Sequence, residues 1–365
     1  MKNKTHKLRV STPGRICLFG EHQDYLNLPV IACAISLRIS IEGNKRYDTH
    51  VAIDLPDIHN KETFSLNNPL VYHKERDYFK SSVNVLSRRG FIFSKGIDCV
   101  VKGNIPINSG TSSSSALIVS WINFLSQMSD QQKVLNPEKI AEYAYEAEVL
   151  EFAEPGGMMD QYTTAVGGII KIDFHPNIKI ERLDAKPGNF VLGDSQEPKD
   201  TQSILSRVKE QVQKVVIELK NKYPEFSLHT VREKDLKKYS DSLNDEQFVL
   251  LTGTIRNREI TRKAQKLLTT HPLDHQEVGK LLNEHQAVLR DILKISTPKI
   301  DRMIDASLNA GAYGAKINGS GGGGCMFAYA PENTDTIKEA IEKVGGKTYI
   351  IQVDKGTYSE SVEGF

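Results

Sequence analysis

The stretch PINSGTSSSSAL, residues 106–117, constrains this chain more than any other. A glycine, a threonine and four consecutive serines stand between a proline and an apolar run. They are too polar for a core and too short for a linker. The preceding GIDCVVKGNIP reads as a strand, and ALIVSWINFLSQM, apolar nearly all round, reads as a buried helix. The serines therefore fall at a helix N-terminus. Up to about four backbone N–H groups there lack an intrahelical partner, and the macrodipole adds positive potential. Gly110 lets the backbone come close to a ligand, and the hydroxyls supply further donors and candidate Mg²⁺ ligands. Such a loop suits an anion, above all a phosphate chain. It is not a Walker A loop, because the closing Gly-Lys-Ser/Thr is missing. The plainer alternative is a Ser-rich capped turn without a ligand.

Composition narrows the function classes. The 365 residues suffice for two domains, each with its own core. Lys and Arg number 47 against 46 Asp and Glu, a net charge of +1, so no basic surface calls for nucleic acid or an acidic membrane. No run of about 18 apolar residues predicts a membrane span, and MKNKTHKLRV lacks the apolar core of a signal peptide. Cys17, Cys33, Cys99 and Cys325 are scattered, which predicts buried thiols and a cytoplasmic protein, not disulfides or a zinc site.

The first 60 residues read as strands, with Ile35, Leu37, Ile39 and Ile41 on one side. Residues 76–88 read as an amphipathic helix. Asn136 caps a helix with Pro137 in its first turn, which runs to the break at Pro155-Gly156-Gly157. A strand pair follows around GGIIKIDF and NFVLGDS. Residues 200–300 are mostly helical. GAKINGSGGGGCMFAYA reads as a glycine loop feeding a strand, then helix TDTIKEAIEKV and strand TYIIQVD. A boundary near Lys186-Pro187-Gly188 divides a strand-rich half, 1–186, from a helix-rich half with a small sheet, 187–365.

Three further loops carry chemistry. PGRICLFGEHQDY, residues 13–25, gathers Arg15, Glu21, His22 and Asp24 around a strand and a glycine turn. Carboxylates and an imidazole so grouped can hold several sugar hydroxyls in fixed directions. Alternatively His22 and Asp24 are surface turn residues, with Glu21 paired to a neighbouring lysine. In EPGGMMDQYTTAVGG, Asp160 follows a Pro-Gly-Gly break, where a carboxylate can receive a proton or serve only as an N-cap. NGSGGGGCMF fits G-x-G-x-x-G, but its glycines precede a strand instead of following one, which argues against a dinucleotide fold. A loop folding over a bound ligand is the better use.

Taken in order, PGR-x₄-GEH-x-DY, P-x-x-SG-x-SSS-x-AL, GG-x-MDQ and GAK-x-NG-x-GGGG resemble the GHMP kinases, and most of all the galactokinases, over about residues 10–330. The resemblance implies an α+β fold: an N-terminal α/β domain with a left-handed crossover and a ferredoxin-like α+β C-terminal domain. ATP and sugar would lie in the cleft between them, and the sugar would be phosphorylated on its anomeric hydroxyl. It implies that Ser109, Gly110, Thr111, Ser112, Ser113, Ser114 and Ser115 cradle ATP, and that Ser114 and Glu148 hold Mg²⁺. Asp160 would be the base and Arg15 its electrostatic partner. Glu21, His22 and Asp24 would grip the sugar, with Gly157 letting the backbone approach it. The implied partners are ATP and a small sugar, in a monomer or weak homodimer.

Some positions depart from the galactokinase pattern. Asn108 stands where that family has Gly, Thr111 where it has Leu, Gln23 where it has Thr, and Gly156 where it has Cys. GDSQEPKDTQSILSRV and STPKIDRMIDASLNAGAYGAKINGSGGGG have a mevalonate-kinase cadence, and a sugar-contacting Tyr has no counterpart. The alternatives are therefore a kinase for a related sugar (N-acetylhexosamine, uronic acid or arabinose), a mevalonate-type kinase, or a non-catalytic sensor on the same fold.

Overall fold

A computed structural model describes residues 6–67, 69–198 and 201–363. In chain order the elements are β1 (His6–Phe19), β2 (Val30–Lys45), β3 (His50–Leu55), β4 (Asn60–Ser65), α1 (Tyr78–Arg88), β5 (Ile97–Gly103), α2 (Ser113–Met128), α3 (Pro137–Tyr145), α4 (Met159–Val166), β6 (Ile169–Asp173), β7 (Lys179–Leu183), β8 (Asn189–Asp194), α5 (Thr201–Lys222), α6 (Asp245–Leu268), α7 (His275–Ala287), α8 (Pro298–Asn309), β9 (Gly314–Ile317), β10 (Cys325–Tyr329), α9 (Thr334–Lys343), β11 (Lys347–Gln352) and β12 (Tyr358–Glu363).

Two sheets organise these elements. The first has the order β12-β1-β2-β5-β3-β4, with β6 on the opening residues of β2 and β7 beyond it. Parallel pairing in it is confined to β3 and β5, so its pattern is mostly antiparallel within the α+β class. The second has the order β11-β8-β10-β9. Numbered from its own first strand this is 4-1-3-2, the split βαββαβ arrangement expected for the C-terminal half.

The expected strand pair is corrected here. GGIIKIDF forms β6 in the first sheet, and NFVLGDS forms β8 in the second, so the two never pair. The intervening strand β7 takes the place beside β6. All strands before residue 187 lie in the first sheet, yet the chain's last strand, β12, returns to pair with β1.

β1 and β2 separate two cores. Cys17, Val30 and Ile41 pack with α1–α4 on one side, while Ile16, Leu18, Ile35 and Leu37 pack toward the second sheet, α6 and α7. The single apolar side read for β2 is thus split, with Ile41 in one core and Ile35 and Leu37 in the other. The pairing with β1 shifts register opposite Pro13–Arg15, which turns the strand between these residues. The outer face of the second sheet packs on α8 and α9, and a fourth cluster joins α5 to α6. All four cysteines are free and buried.

Local signals explain several element ends. Asn136 accepts from Lys139 N with Pro137 at the first helical position, as its sequence predicts. The helix it starts is not continuous to Pro155. It widens at residues 146–150 into a π turn, with Glu151 N donating to Glu146 O, and Glu148 sits in that turn.

Gly279 in α7 lies directly on the backbone before β9. A Cβ there would meet the Tyr313 carbonyl oxygen at 2.1 Å. Helix propensity alone favours alanine by about 1 kcal/mol, but overpacking costs about 1–3 kcal/mol. Gly279→Ala is therefore expected to destabilise the fold, lowering the urea midpoint; a raised midpoint would contradict this packing.

Candidate active site

The centre of the cleft is a forked ion pair. Arg15, from β1, donates from Nε and Nη2 to the two carboxylate oxygens of Asp160, each at 2.8 Å. Its Nη1 donates to the Gly110 carbonyl, and its backbone N donates to Thr111 O at 3.2 Å. Arg15 is buried and Asp160 half-buried, so one flank of the carboxylate stays open. Asp160 is the second residue of α4, whose N-cap is Met158 without a side-chain cap. The carboxylate is thus not spent on capping. A bidentate charge-assisted pair of this kind fixes both direction and distance.

Asp24 lies across from it, in the turn after β1. Its oxygens accept from Tyr25 N at 2.9 Å and Met159 N at 3.3 Å. Burial, and then the nearby Asp160 charge, push its carboxyl up to about 6 against the pull of these N–H groups and of Arg15. Gly157 makes room for this carboxylate, since a Cβ at 157 would stand 2.0 Å from Asp24 Oδ2. His22, with φ 61°, bonds Tyr25 Oη at 2.7 Å and the Ser320 carbonyl at 3.0 Å.

Glu21 is 2% exposed, and both its oxygens are engaged. Oε2 accepts from Lys316 Nζ at 2.6 Å and Oε1 from Gly319 N at 2.9 Å. Lys316 also donates to Cys17 O. The lysine partner of Glu21 is therefore a distant residue on β9, and the pair ties the two sheets together behind the cleft.

The serine loop divides its hydroxyls between two tasks. Ser109 Oγ donates to Pro106 O at 2.8 Å and lies 2.9 Å from Thr111 Oγ1, so these two side chains brace the loop from within. Ser112 has φ 61° and a buried Oγ with no protein partner. Ser113, Ser114 and Ser115 form the first turn of α2, with Ser114 exposed. Behind them the buried Glu148 accepts from Gln161 Nε2 at 2.6 Å. Its carboxyl is pushed up to about 7 by burial, against hydrogen bonds from Gln161, Ser114 and Ser115.

The glycine-rich loop leans on the serine loop. Asn318 Nδ2 donates to Gly110 O at 2.8 Å, and Cys325 N donates to Ser109 O at 2.7 Å. Only part of it, Gly319 and Ser320, reaches the cavity.

These groups surround one cavity of about 380 Å³, with Asp24 and His22 at one part, Asp160 between, and Ser112–Ser115 with Glu148 at the other. Such a space can hold one hydroxylated molecule and one phosphate chain against a shared carboxylate. The sequence reading did not single out Lys316, Asn318, Gln161, Arg76, Tyr78 or Glu154, of which the last four line the cavity. Lys316 had a signal, being a lysine inside the four-residue buried strand GAKI. The others carried none.

The model for the GHMP kinases N terminal domain matches residues 77–168, that for GHMP kinases C terminal matches 264–350, and the galactokinase galactose-binding signature matches 2–45. The chain is 26% identical to a mevalonate kinase of Thermococcus sibiricus, over 96% of this chain and 97% of that protein. It is 27% identical to a galactokinase of Actinobacillus succinogenes, over 93% and 89%. Its fold superimposes on Lactococcus lactis galactokinase complexed with galactose with a TM-score of 0.86, at 22% identity over 96% and 95% of the chains. The chain belongs to the GHMP kinases and is an ATP-dependent kinase of that family.

Proposed function

We propose that this kinase phosphorylates the anomeric hydroxyl of a monosaccharide, galactose or a close relative. The observation that carries the reading is Asp24. A second carboxylate is held facing Asp160 across the cavity, at the cost of a raised pKa, by a glycine that exists to admit it. A polyol rewards such an acceptor, and the galactose-binding signature over residues 2–45 supports the same assignment.

In this reading the sugar lies against Asp24, His22 and the Gly157 backbone, with its O1 hydroxyl on the open flank of Asp160. O1 forms the new bond to the γ-phosphorus, the bond to the bridging β,γ-oxygen breaks, and the hydroxyl proton passes to Asp160. Arg15 fixes the carboxylate and offsets its charge. Phosphoryl transfer asks the protein mainly for positioning and charge neutralisation. The Ser112–Ser115 turn offers N–H groups and hydroxyls to the phosphates.

Mg²⁺ fits the residues present. Glu148 is buried, forms no ion pair among the described residues and stands beside the Ser114 hydroxyl. One carboxylate and a hydroxyl, with the remaining ligands from phosphate and water, is the pattern this ion favours. Ser114 and Glu148 would hold it, and it would neutralise phosphate charge. No helix among the described residues is long and apolar enough to cross a membrane; a cytoplasmic monomer or weak dimer belongs to the same proposal. The mevalonate kinases among the relatives support a second reading, a mevalonate-type substrate, which gives Asp24 no polyol to bind.

ADP release from Mg·ATP, measured across galactose, N-acetylgalactosamine, galacturonate, arabinose and mevalonate, tests the assignment. A sugar-dependent signal is expected, and release with mevalonate alone would overturn it. Asp160→Asn should lower kcat by about 10²–10⁴-fold while nucleotide affinity stays within about threefold; full activity would remove Asp160 from the chemistry. Asp24→Ala should raise the sugar KM about 10- to 100-fold, the loss of a hydrogen bond to a charged group, and leave the ATP KM nearly unchanged. Because the Asp24 carboxyl sits at about 6 in the free enzyme, it is neutral below that pH and ionised above. With Mg·ATP saturating, sugar kcat/KM should therefore show a limb below pH 6 in addition to the one Glu148 sets near 7, and Asp24→Asn should lose the lower limb alone.

A further inference from the structure

Charge along the cavity is unbalanced for a site that receives a polyphosphate. Among its described lining residues only Arg15 and Arg76 carry a guanidinium or ammonium, against the carboxylates of Glu21, Asp24, Glu148, Glu154 and Asp160. Glu21 is neutralised by Lys316 and Asp160 by Arg15. Arg76 is therefore the one lining cation not held by a group already given a task. It donates from Nε and Nη2 to the two oxygens of Glu154, at 2.5 and 3.0 Å. Its side chain is 40% exposed while that of Glu154 is 14% exposed.

Position assigns Arg76 to the phosphate part of the cavity. Its partner Glu154 is held next to Glu148, the carboxylate beside Ser114 and Ser115, with Glu154 N donating to Val149 O at 3.0 Å, whereas the hydrogen bonds of Asp24 and His22 involve other elements. Its backbone has φ 55°, an uncommon conformation for an arginine, fixed by Tyr78 N donating to Arg76 O at 2.7 Å. Among the described lining residues, this strained position carries the one guanidinium not already paired with Asp160. The pair is bidentate and Glu154 is largely buried, so the guanidinium leaves it only for acceptors of comparable charge, and phosphate oxygens are such acceptors.

We propose that Arg76 is a nucleotide-binding residue held in reserve by Glu154, and that it leaves Glu154 for phosphate oxygens of ATP when the nucleotide enters. Glu154 then acts as a competing anion that keeps the guanidinium in place in the empty cleft. The proposal rests on the family's ATP-dependent activity and not on which sugar is bound.

Calorimetric binding of β,γ-imido-ATP with Mg²⁺, in the absence of sugar, tests it independently of the acceptor. Arg76→Ala should weaken binding about 10- to 100-fold, Arg76→Lys less, and Glu154→Gln should tighten it about two- to fivefold by removing the competitor. Arg76→Lys serves as the test if the alanine variant melts early. Wild-type affinity in the Arg76 variants would overturn the proposal. So would equal weakening by Glu154→Gln, which would make the pair a fixed structural brace, or an effect on the sugar KM alone, which would place Arg76 against the acceptor.

Discussion

The architecture of the cleft depends on the buried pair between Glu21 and Lys316. Glu21 opens the turn after β1, and Lys316 lies in β9 of the other sheet. Neither side chain meets water, so each charge is tolerable only because the other is present. Removing one partner of such a pair typically costs about 3–5 kcal/mol. The Gly319 N–H and the Cys17 carbonyl complete the network. That network sets where the chain turns, and the turn sets where His22 and Asp24 point. Glu21, expected as a sugar ligand, lines the cavity with both carboxylate oxygens engaged in this network, at the start of the turn that carries His22 and Asp24.

Around this anchor the molecule accumulates features that oppose stability. His22, Arg76, Asn108 and Ser112 all have positive φ, and all four line the cavity. Asp24 and Glu148 keep carboxyls pushed up to about 6 and about 7 in a half-enclosed space, so ionising them above those values costs folding free energy. Strain and unpaired charge gathered in one cleft are what a binding site for a cationic or hydroxylated ligand requires. They also explain why the serine loop is braced internally by Ser109 and Thr111: a turn with two strained residues needs its own hydrogen bonds.

Much of the site was legible in the sequence because its signals are local. A run of serines before an apolar helix puts hydroxyls on its first turn, and Asn136-Pro137 marks a helix start; for Asp160 the sequence left proton acceptor and N-cap both open, and the helix start at Met159 removes the cap. Pairings between distant segments were not legible. Nothing in YSESVE announces that β12 returns to β1, because a polar edge strand has no apolar pattern to assign it. GGIIKIDF and NFVLGDS look alike as strands, and only the packed sheets separate them. The division of hydroxyls within the serine loop was hidden too, since inward and outward serines are identical as letters. Gly157 was expected to admit a sugar; the contact it relieves in the structure is with Asp24, a side chain 133 positions earlier in the chain.

If Asp24 and Asp160 present the anomeric hydroxyl of a sugar to ATP, the transferred phosphate must sit on C1. Phosphorus and proton NMR of the product formed from Mg·ATP and the accepted substrate reads that position. A phosphate coupled to the anomeric proton is expected, with none on the primary hydroxyl. Phosphate on C6, or a phosphorylated acyclic alcohol in place of a sugar 1-phosphate, would contradict it.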